Sequence, residues 1–202
     1  MSEPVRVQAA TRVDETQFLL AERLWPGLEA LPTPDNGLIA VTPDSAAITT
    51  GASSGRVTVT VEVRQSPPAR VETGDWDEVI EIDFHASTGD VVVRALMDDP
   101  PPLPALTTNG PGTYRFRVHA AGRDLHPDGV AFEPTESYLI QTWPAAAPQA
   151  EVVYKQSDTV GIELRRYAAT AAGLSEAPSP ARQPAPRPAR SGDADPSADS
   201  RG

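Results

Sequence analysis

Residues 112–144, GTYRFRVHAAGRDLHPDGVAFEPTESYLIQTWP, decide the fold of this chain. Apolar and polar side chains alternate over residues 114–118, and a period of two is typical of a strand with one face on a core. A second alternating run covers residues 136–143 and stops at Pro144, since proline lacks the N–H that a β-ladder needs. The two runs predict strands that are joined by a connection too long for a tight hairpin.

Short alternating runs recur outward from this stretch, at spacings that are typical of all-β domains. The clearest is RVTVTVEVR at residues 56–64, whose valines share one face. Residues 77–85 and 91–97 predict a hairpin, and residues 151–155 and 159–166 predict a second hairpin near the end. No run has the 3.6-residue period of a helix. The pattern therefore predicts an antiparallel β-sandwich, either jelly-roll-like or barrel-like.

The chain divides into two parts by composition. Residues 1–167 contain all the predicted strands and form the predicted all-β domain, with Trp25 expected to pack against its core. Residues 168–202 are rich in proline, alanine and serine and contain no aromatic residue. Such a segment cannot bury enough apolar surface to order itself, so we expect a disordered tail.

Charge and composition narrow the classes of function. The chain has 28 acidic and 17 basic residues and a formal net charge of −11. An acidic protein repels phosphate backbones and anionic membranes, so we expect a basic protein partner and neither direct nucleic-acid binding nor membrane binding. There is no cysteine, which excludes disulfides and thiolate chemistry. We see no signal peptide and no apolar run long enough to span a membrane, and we expect a cytoplasmic location.

Acidic residues concentrate between Glu62 and Asp83, with a tryptophan among them. On the solvent face of a strand they would form an anionic ridge that attracts a basic protein. A central aromatic residue would add binding energy, since aromatic side chains dominate many interfaces. The predicted partner-binding residues are Asp75, Trp76, Asp77, Glu78, Glu81 and Asp83. The loop at 121–135 is the second choice, and the open alternative is a solvated acidic surface without a partner.

Other classes of site have less support from the residues. A small-ligand or carbohydrate-binding sandwich would use Trp143, Tyr138 and His126 as stacking and polar groups. A metal site would need two of His85, His119 and His126 to converge with an acid such as Asp83, Asp124 or Asp128, but no His-x-His pair is present. No Gly-x-Ser-x-Gly elbow marks a hydrolase. We therefore predict a non-catalytic binding protein without a cofactor or a metal.

The order of the strands resembles the competence protein J family, small acidic inhibitors that partner a competence nuclease. The similar segments are Gln17–Leu20, Gly37–Val41 after an Asp-Asn-Gly turn, the valine strand, the acidic strand, Gly112–Phe116 and Tyr138–Gln141. The resemblance covers residues 12–143 and implies an all-β domain that binds a nuclease or toxin through an acidic surface. It assigns no individual inhibitory residue, and the 121–135 loop and the proline-rich tail depart from the family's pattern.

Overall fold

The computed structural model describes residues 3–24, 32–43 and 45–175, which contain eleven strands, a short 3-10 turn and one α-helix. The strands are β1 (Val5–Asp14), β2 (Gln17–Glu22), β3 (Ile39–Val41), β4 (Ser45–Thr49), β5 (Ser54–Val63), β6 (Glu78–Ala86), β7 (Val91–Arg94), β8 (Gly112–Ala121), β9 (Val130–Ala131), β10 (Ser137–Pro144) and β11 (Val152–Gln156). The 3-10 turn is Arg123–Leu125, and helix α1 is Thr159–Ser175. No helix in these ranges is both long and apolar enough to cross a membrane.

The strands form one mixed sheet in the order β11-β6-β8-β10-β5-β1-β2-β4-β3, with β7 on β2 and β9 on β5. β5 runs parallel to β10 and β9, while the other described pairings are antiparallel. The mostly β class is therefore confirmed. The antiparallel sandwich is not, because the chain makes a single sheet that curls into a half-barrel.

A tight turn between β1 and β2 curls the sheet. Its residues Glu15 and Thr16 have φ of 51° and 59°, and β1 contacts β2 through the pair Asp14–Gln17. Strands β2, β4, β3 and β7 (the short arm) thus face the inner side of the strands from β11 to β1 (the long arm). Phe18 on the short arm meets Tyr138 on the long arm edge-to-face, with 5.1 Å between ring centroids. Aliphatic side chains from both arms fill the core around this contact.

A crossover connection, residues 64–77, covers the outer face of the long arm. β5 and β6 run in the same direction with β10 and β8 between them, so the chain crosses one face of the sheet to join them. Trp76 packs edge-on to the ring of His119 on β8, at 5.3 Å between centroids. Lys155 Nζ on β11 donates to Thr73 O at 3.0 Å. Polar side chains on the outer face of β8 and β10 are consequently buried.

The predicted final hairpin is wrong, because residues 159–166 begin helix α1. Asp158 precedes the helix and its Oδ1 accepts a hydrogen bond from Gly161 N at 2.7 Å, which is N-cap geometry. Val160 and Leu164 alternate with polar neighbours as they would in a strand. They are also four residues apart, however, and so share one face of a helix.

Three other sequence predictions have different outcomes. The predicted hairpin of residues 77–85 and 91–97 is wrong, because β7 pairs with β2, while β6 pairs with β8 and β11 on its two edges. Helix α1 passes the predicted domain boundary after residue 167 and continues to Ser175. The remainder of the predicted tail, residues 176–202, and Trp25 lie outside the described residues.

Candidate functional site

The six predicted partner-binding residues do not share one surface. Asp75 is exposed and Trp76 and Asp77 are half-buried, all three at the end of the crossover connection. Glu78 and Glu81 on β6 are buried, and Asp83 is half-buried. The prediction of an anionic ridge along this strand is therefore wrong for the two glutamates, although the part formed by the crossover connection remains accessible.

Glu78 lies on the core side of β6 and holds the start of helix α1. Its carboxylate accepts hydrogen bonds from Ser157 N at 3.0 Å and from Arg165 Nη1 at 3.0 Å. Burial raises the pKa of Glu78 above its usual value, and the neighbouring Asp158 raises it further against the opposing effect of Arg165. The role of this carboxylate is to join the sheet to the helix.

Glu81 and Asp83 lie on the outer side of β6, facing two arginines of β8. Arg115 Nε and Arg117 Nε donate to the two oxygens of Glu81 at 2.8 and 2.7 Å, and Arg115 Nη1 reaches Asp83 Oδ1 at 2.9 Å. Burial alone would raise the pKa of Glu81, but the two arginines outweigh it and hold that pKa below its usual value. The negative charge of this group is thus neutralised inside the protein.

Trp76 and Asp77 link the crossover connection to the start of the 121–135 loop. Asp77 Oδ2 accepts a hydrogen bond from Gly122 N at 3.0 Å, and Asp77 N donates to Ala120 O at 2.8 Å. Trp76 covers the buried ring of His119 on β8. The first-choice and second-choice sites predicted from the sequence are therefore neighbours at one end of the sheet.

The 121–135 loop is held firmly against the sheet. Arg123 is buried and donates to Asp158 and to Gly37 O, and the backbone N–H of Asp128 donates to Gly51 O at 2.9 Å. Strand β9 then pairs with β5. On this fixed base the loop leaves two large apolar side chains in solvent, Leu125 at 62% exposure and Phe132 at 86%.

Ion pairing separates the charges of the described residues into two groups. Most arginines pair with carboxylates of the same chain, namely Arg6, Arg12, Arg23, Arg64, Arg115, Arg117, Arg123 and Arg165. Many exposed carboxylates make no salt bridge within the described residues: Glu3, Glu15, Asp35, Glu72, Asp75, Asp99, Asp124, Asp128, Glu133, Glu151 and Glu163. Cations are thus largely neutralised internally, and the accessible charge is mostly negative.

A comparison with solved structures identifies a similar fold. ComJ from Bacillus subtilis, described as an inhibitor of the DNA-degrading activity of NucA, aligns with a TM-score of 0.51 at 11% identity, over 71% of this chain and 100% of ComJ. The chain has a ComJ-like fold. Crocagin biosynthetic protein J aligns with a TM-score of 0.45 at 16% identity, over 71% of this chain and 99% of its own. No protein-family model and no curated protein sequence matches the chain.

The ComJ-like fold confirms the resemblance predicted from strand order, and at this identity the similarity concerns the fold alone. The alternative ligand site does not assemble on it. Tyr138 faces the core and Trp143 lies on the opposite side of β10, stacked with Arg117, while His126 is exposed in the loop. Within the described residues, no group of three or more histidine or acidic side chains could hold a metal ion.

Proposed function

We propose that this protein is a non-catalytic acidic binding protein that inhibits a basic protein, such as a nuclease or toxin. The separation of charges carries the proposal. Buried and half-buried carboxylates neutralise most of the arginines, while most exposed carboxylates have no cationic partner in the described residues. A surface of this kind attracts a basic protein over long range, and its negative charge complements the positive charge of that protein in the complex. The ComJ-like fold supports the same reading, since ComJ is an inhibitor of a nuclease.

The proposed contact surface is centred on Asp75, Trp76 and Asp77. Asp75 supplies free negative charge, and half-buried Trp76 supplies an aromatic surface whose position is fixed against His119. Asp77 ties this segment to Gly122 at the start of the 121–135 loop. Exposed Leu125 follows Gly122 three residues later in that loop. A central aromatic or apolar cluster with a polar rim is typical of protein interfaces.

Glu78, Glu81 and Asp83 are not part of this surface, because their carboxylates are engaged within the protein. Their carboxylates hold Arg165, Arg115 and the backbone N–H groups of Gln149 and Ser157, so they tie β6 to β8, to helix α1 and to the segments on either side of β11. Replacing them would disturb the fold before it disturbed an interface. A test of partner binding must therefore use the exposed residues alone.

The test begins with the full-length chain as an affinity matrix for proteins of its source cells at 50 and 500 mM salt. A captured basic protein is purified, and its affinity is measured for the wild type, Asp75→Lys and Trp76→Ala, with Asp99→Lys as the control for an exposed acid elsewhere. We expect Trp76→Ala to weaken binding by roughly tenfold or more, as a central aromatic residue does. We expect Asp75→Lys mainly to slow association, and Asp99→Lys to have little effect.

Inhibition is a separate measurement. If the captured protein degrades DNA, an equimolar amount of the chain should stop the degradation, and Trp76→Ala should need more protein for the same effect. Affinity that is independent of salt and unchanged by both variants would rule out this surface. Capture of acidic proteins alone would rule out the proposed partner class.

A further inference from the structure

A cleft of about 700 Å³ opens where the half-barrel is incomplete. Ile39 and Val41 of the short arm lie on one side and Ile82 of the long arm on the other. Val41 and Ile82 are only partly buried and pack against the main core, so the cleft exposes the edge of that core. Ala168 and Ala171 of helix α1 and Thr33, ahead of the short arm, form further parts of its wall.

The charged side chains that line this cleft are both acidic. Asp35 and Glu151 are exposed and make no salt bridge within the described residues. The carboxylate of Glu151 accepts a hydrogen bond from Asn36 Nδ2 at 2.8 Å. An apolar floor with two unpaired carboxylates suits a peptide that carries small apolar side chains and a positive charge.

The chain contains a segment of this chemistry. Residues 181–190, ARQPAPRPAR, hold three arginines and no acidic residue among prolines and alanines. They follow Ser175, the last residue of the helix whose side chains line the cleft. Ser175 is about 6 Å along the helix from Ala171, and the residues from 176 to 181 can span about 20 Å, so the segment can reach the cleft.

We propose that residues 181–190 bind in this cleft, with arginine side chains at Asp35 and Glu151 and with proline and alanine side chains against Val41 and Ile82. A segment tethered this closely has an effective concentration near the millimolar range, so modest contacts suffice to hold it. The carboxylates are exposed, and the attraction is therefore screened by salt. This contact is independent of the surface proposed for the partner.

Disulfide trapping tests the contact, because the natural chain has no cysteine. The full-length chain carries Thr33→Cys in the cleft together with Ala185→Cys in the basic segment or Ser197→Cys beyond it. The rate of intramolecular disulfide formation is measured for each pair. Ala185 is closer than Ser197 to the end of helix α1 along the chain. This shorter tether alone would make disulfide formation about threefold faster for the Ala185→Cys pair than for the Ser197→Cys pair. Binding in the cleft should raise this ratio to about tenfold or more.

Charge variants identify the cause of a high ratio. Asp35→Asn with Glu151→Gln, or 1 M salt, should return the ratio to about threefold, because each removes the attraction. Asp99→Asn with Glu133→Gln is the matched control, and it should leave the ratio high. A ratio near threefold in the wild-type background would overturn the proposal, as would a high ratio that ignores the cleft carboxylates. Disulfides formed between two molecules would instead assign the cleft to a second copy.

Discussion

Arg123 and Asp158 form a two-pronged ion pair with side-chain exposures of 0% and 1%. Arg123 Nε donates to Asp158 Oδ2 at 2.6 Å and Nη2 donates to Oδ1 at 2.7 Å. Nη1 donates to the carbonyl oxygens of Gly37 and Thr49 at 2.9 and 3.1 Å. One guanidinium thus joins the 121–135 loop, the short arm and the start of helix α1, which gives the exposed residues of the loop a fixed position.

Removal of Asp158 should be strongly destabilising. Asp158→Ala leaves the guanidinium of Arg123 buried without its counter-charge and also removes the N-cap of helix α1. Breaking one side of a buried pair costs about 3–5 kcal/mol, and we expect a loss of unfolding free energy in this range. Urea denaturation measures it. Glu163→Ala, an exposed residue of the same helix, should change stability by less than about 0.5 kcal/mol.

A small effect of Asp158→Ala would show that another group replaces the carboxylate. Asp158→Asn helps to interpret that outcome, because it keeps the shape of the side chain and removes the charge. If Asp158→Asn is as stable as the wild type, the hydrogen bonds rather than the charge hold the loop.

His119 should make stability depend on pH. Burial lowers the pKa of His119 from 6.5 to about 4, so the unfolded chain binds a proton more readily than the folded protein between these values. Stability is fully present above pH 6.5 and falls as the pH falls toward 4. A shift of this size corresponds to roughly 3 kcal/mol. Urea denaturation at several pH values, for wild type and His119→Gln, should show the difference.

The comparison of the two proteins isolates the histidine from the carboxylates, which titrate in the same range. The loss between pH 6.5 and 4 should be smaller in His119→Gln than in the wild type. Parallel pH profiles would contradict the prediction. Trp76 fluorescence of the folded wild type should change near pH 4, where His119 itself takes up a proton, since the indole packs on the imidazole.

Gly51 is required where the short arm meets the 121–135 loop. A Cβ at this position would lie 1.9 Å from Arg123 O, which is a backbone atom that cannot rotate away. Gly51→Ala should therefore displace the loop and lower stability by about 1–3 kcal/mol, as overpacking does. Gly74→Ala in the crossover connection is the control, because a Cβ there meets no atom within 4 Å. Equal melting temperatures for the two variants would contradict the prediction.

Alternation along the chain predicts strands well, but it does not predict their partners. The valines of 56–64 and the aromatic residues of 114–118 do face the core, as expected. The partner of a strand depends on contacts between distant segments, so the same pattern suits a hairpin of β6 with β7 and the observed pairing of β7 with β2. The alternating run at residues 159–166 also places Val160 and Leu164 four residues apart, which suits one face of a helix equally well.

The sequence predicts which residue types the candidate site contains, but it does not predict which of their side chains are exposed. The sequence shows acidic residues near Trp76, yet it does not show that Glu81 faces Arg115 and Arg117, more than thirty residues away in the chain. When neighbouring strands carry charged side chains on the face away from the core, that face is normally in contact with solvent. Here the crossover connection covers them, and an irregular connection has no periodic signal that would reveal its path.

Asn36 should be essential for closing the gap between the two arms. It is buried, its Oδ1 accepts hydrogen bonds from Leu38 N and Ile39 N, and its Nδ2 donates to Glu151. Asn36→Ala leaves two backbone N–H groups without partners and should cost about 2–4 kcal/mol. Asn109→Ala is the control, because Asn109 is exposed and its loss should cost under about 0.5 kcal/mol. Thermal unfolding compares the variants, and equal midpoints would show that water replaces the Asn36 amide.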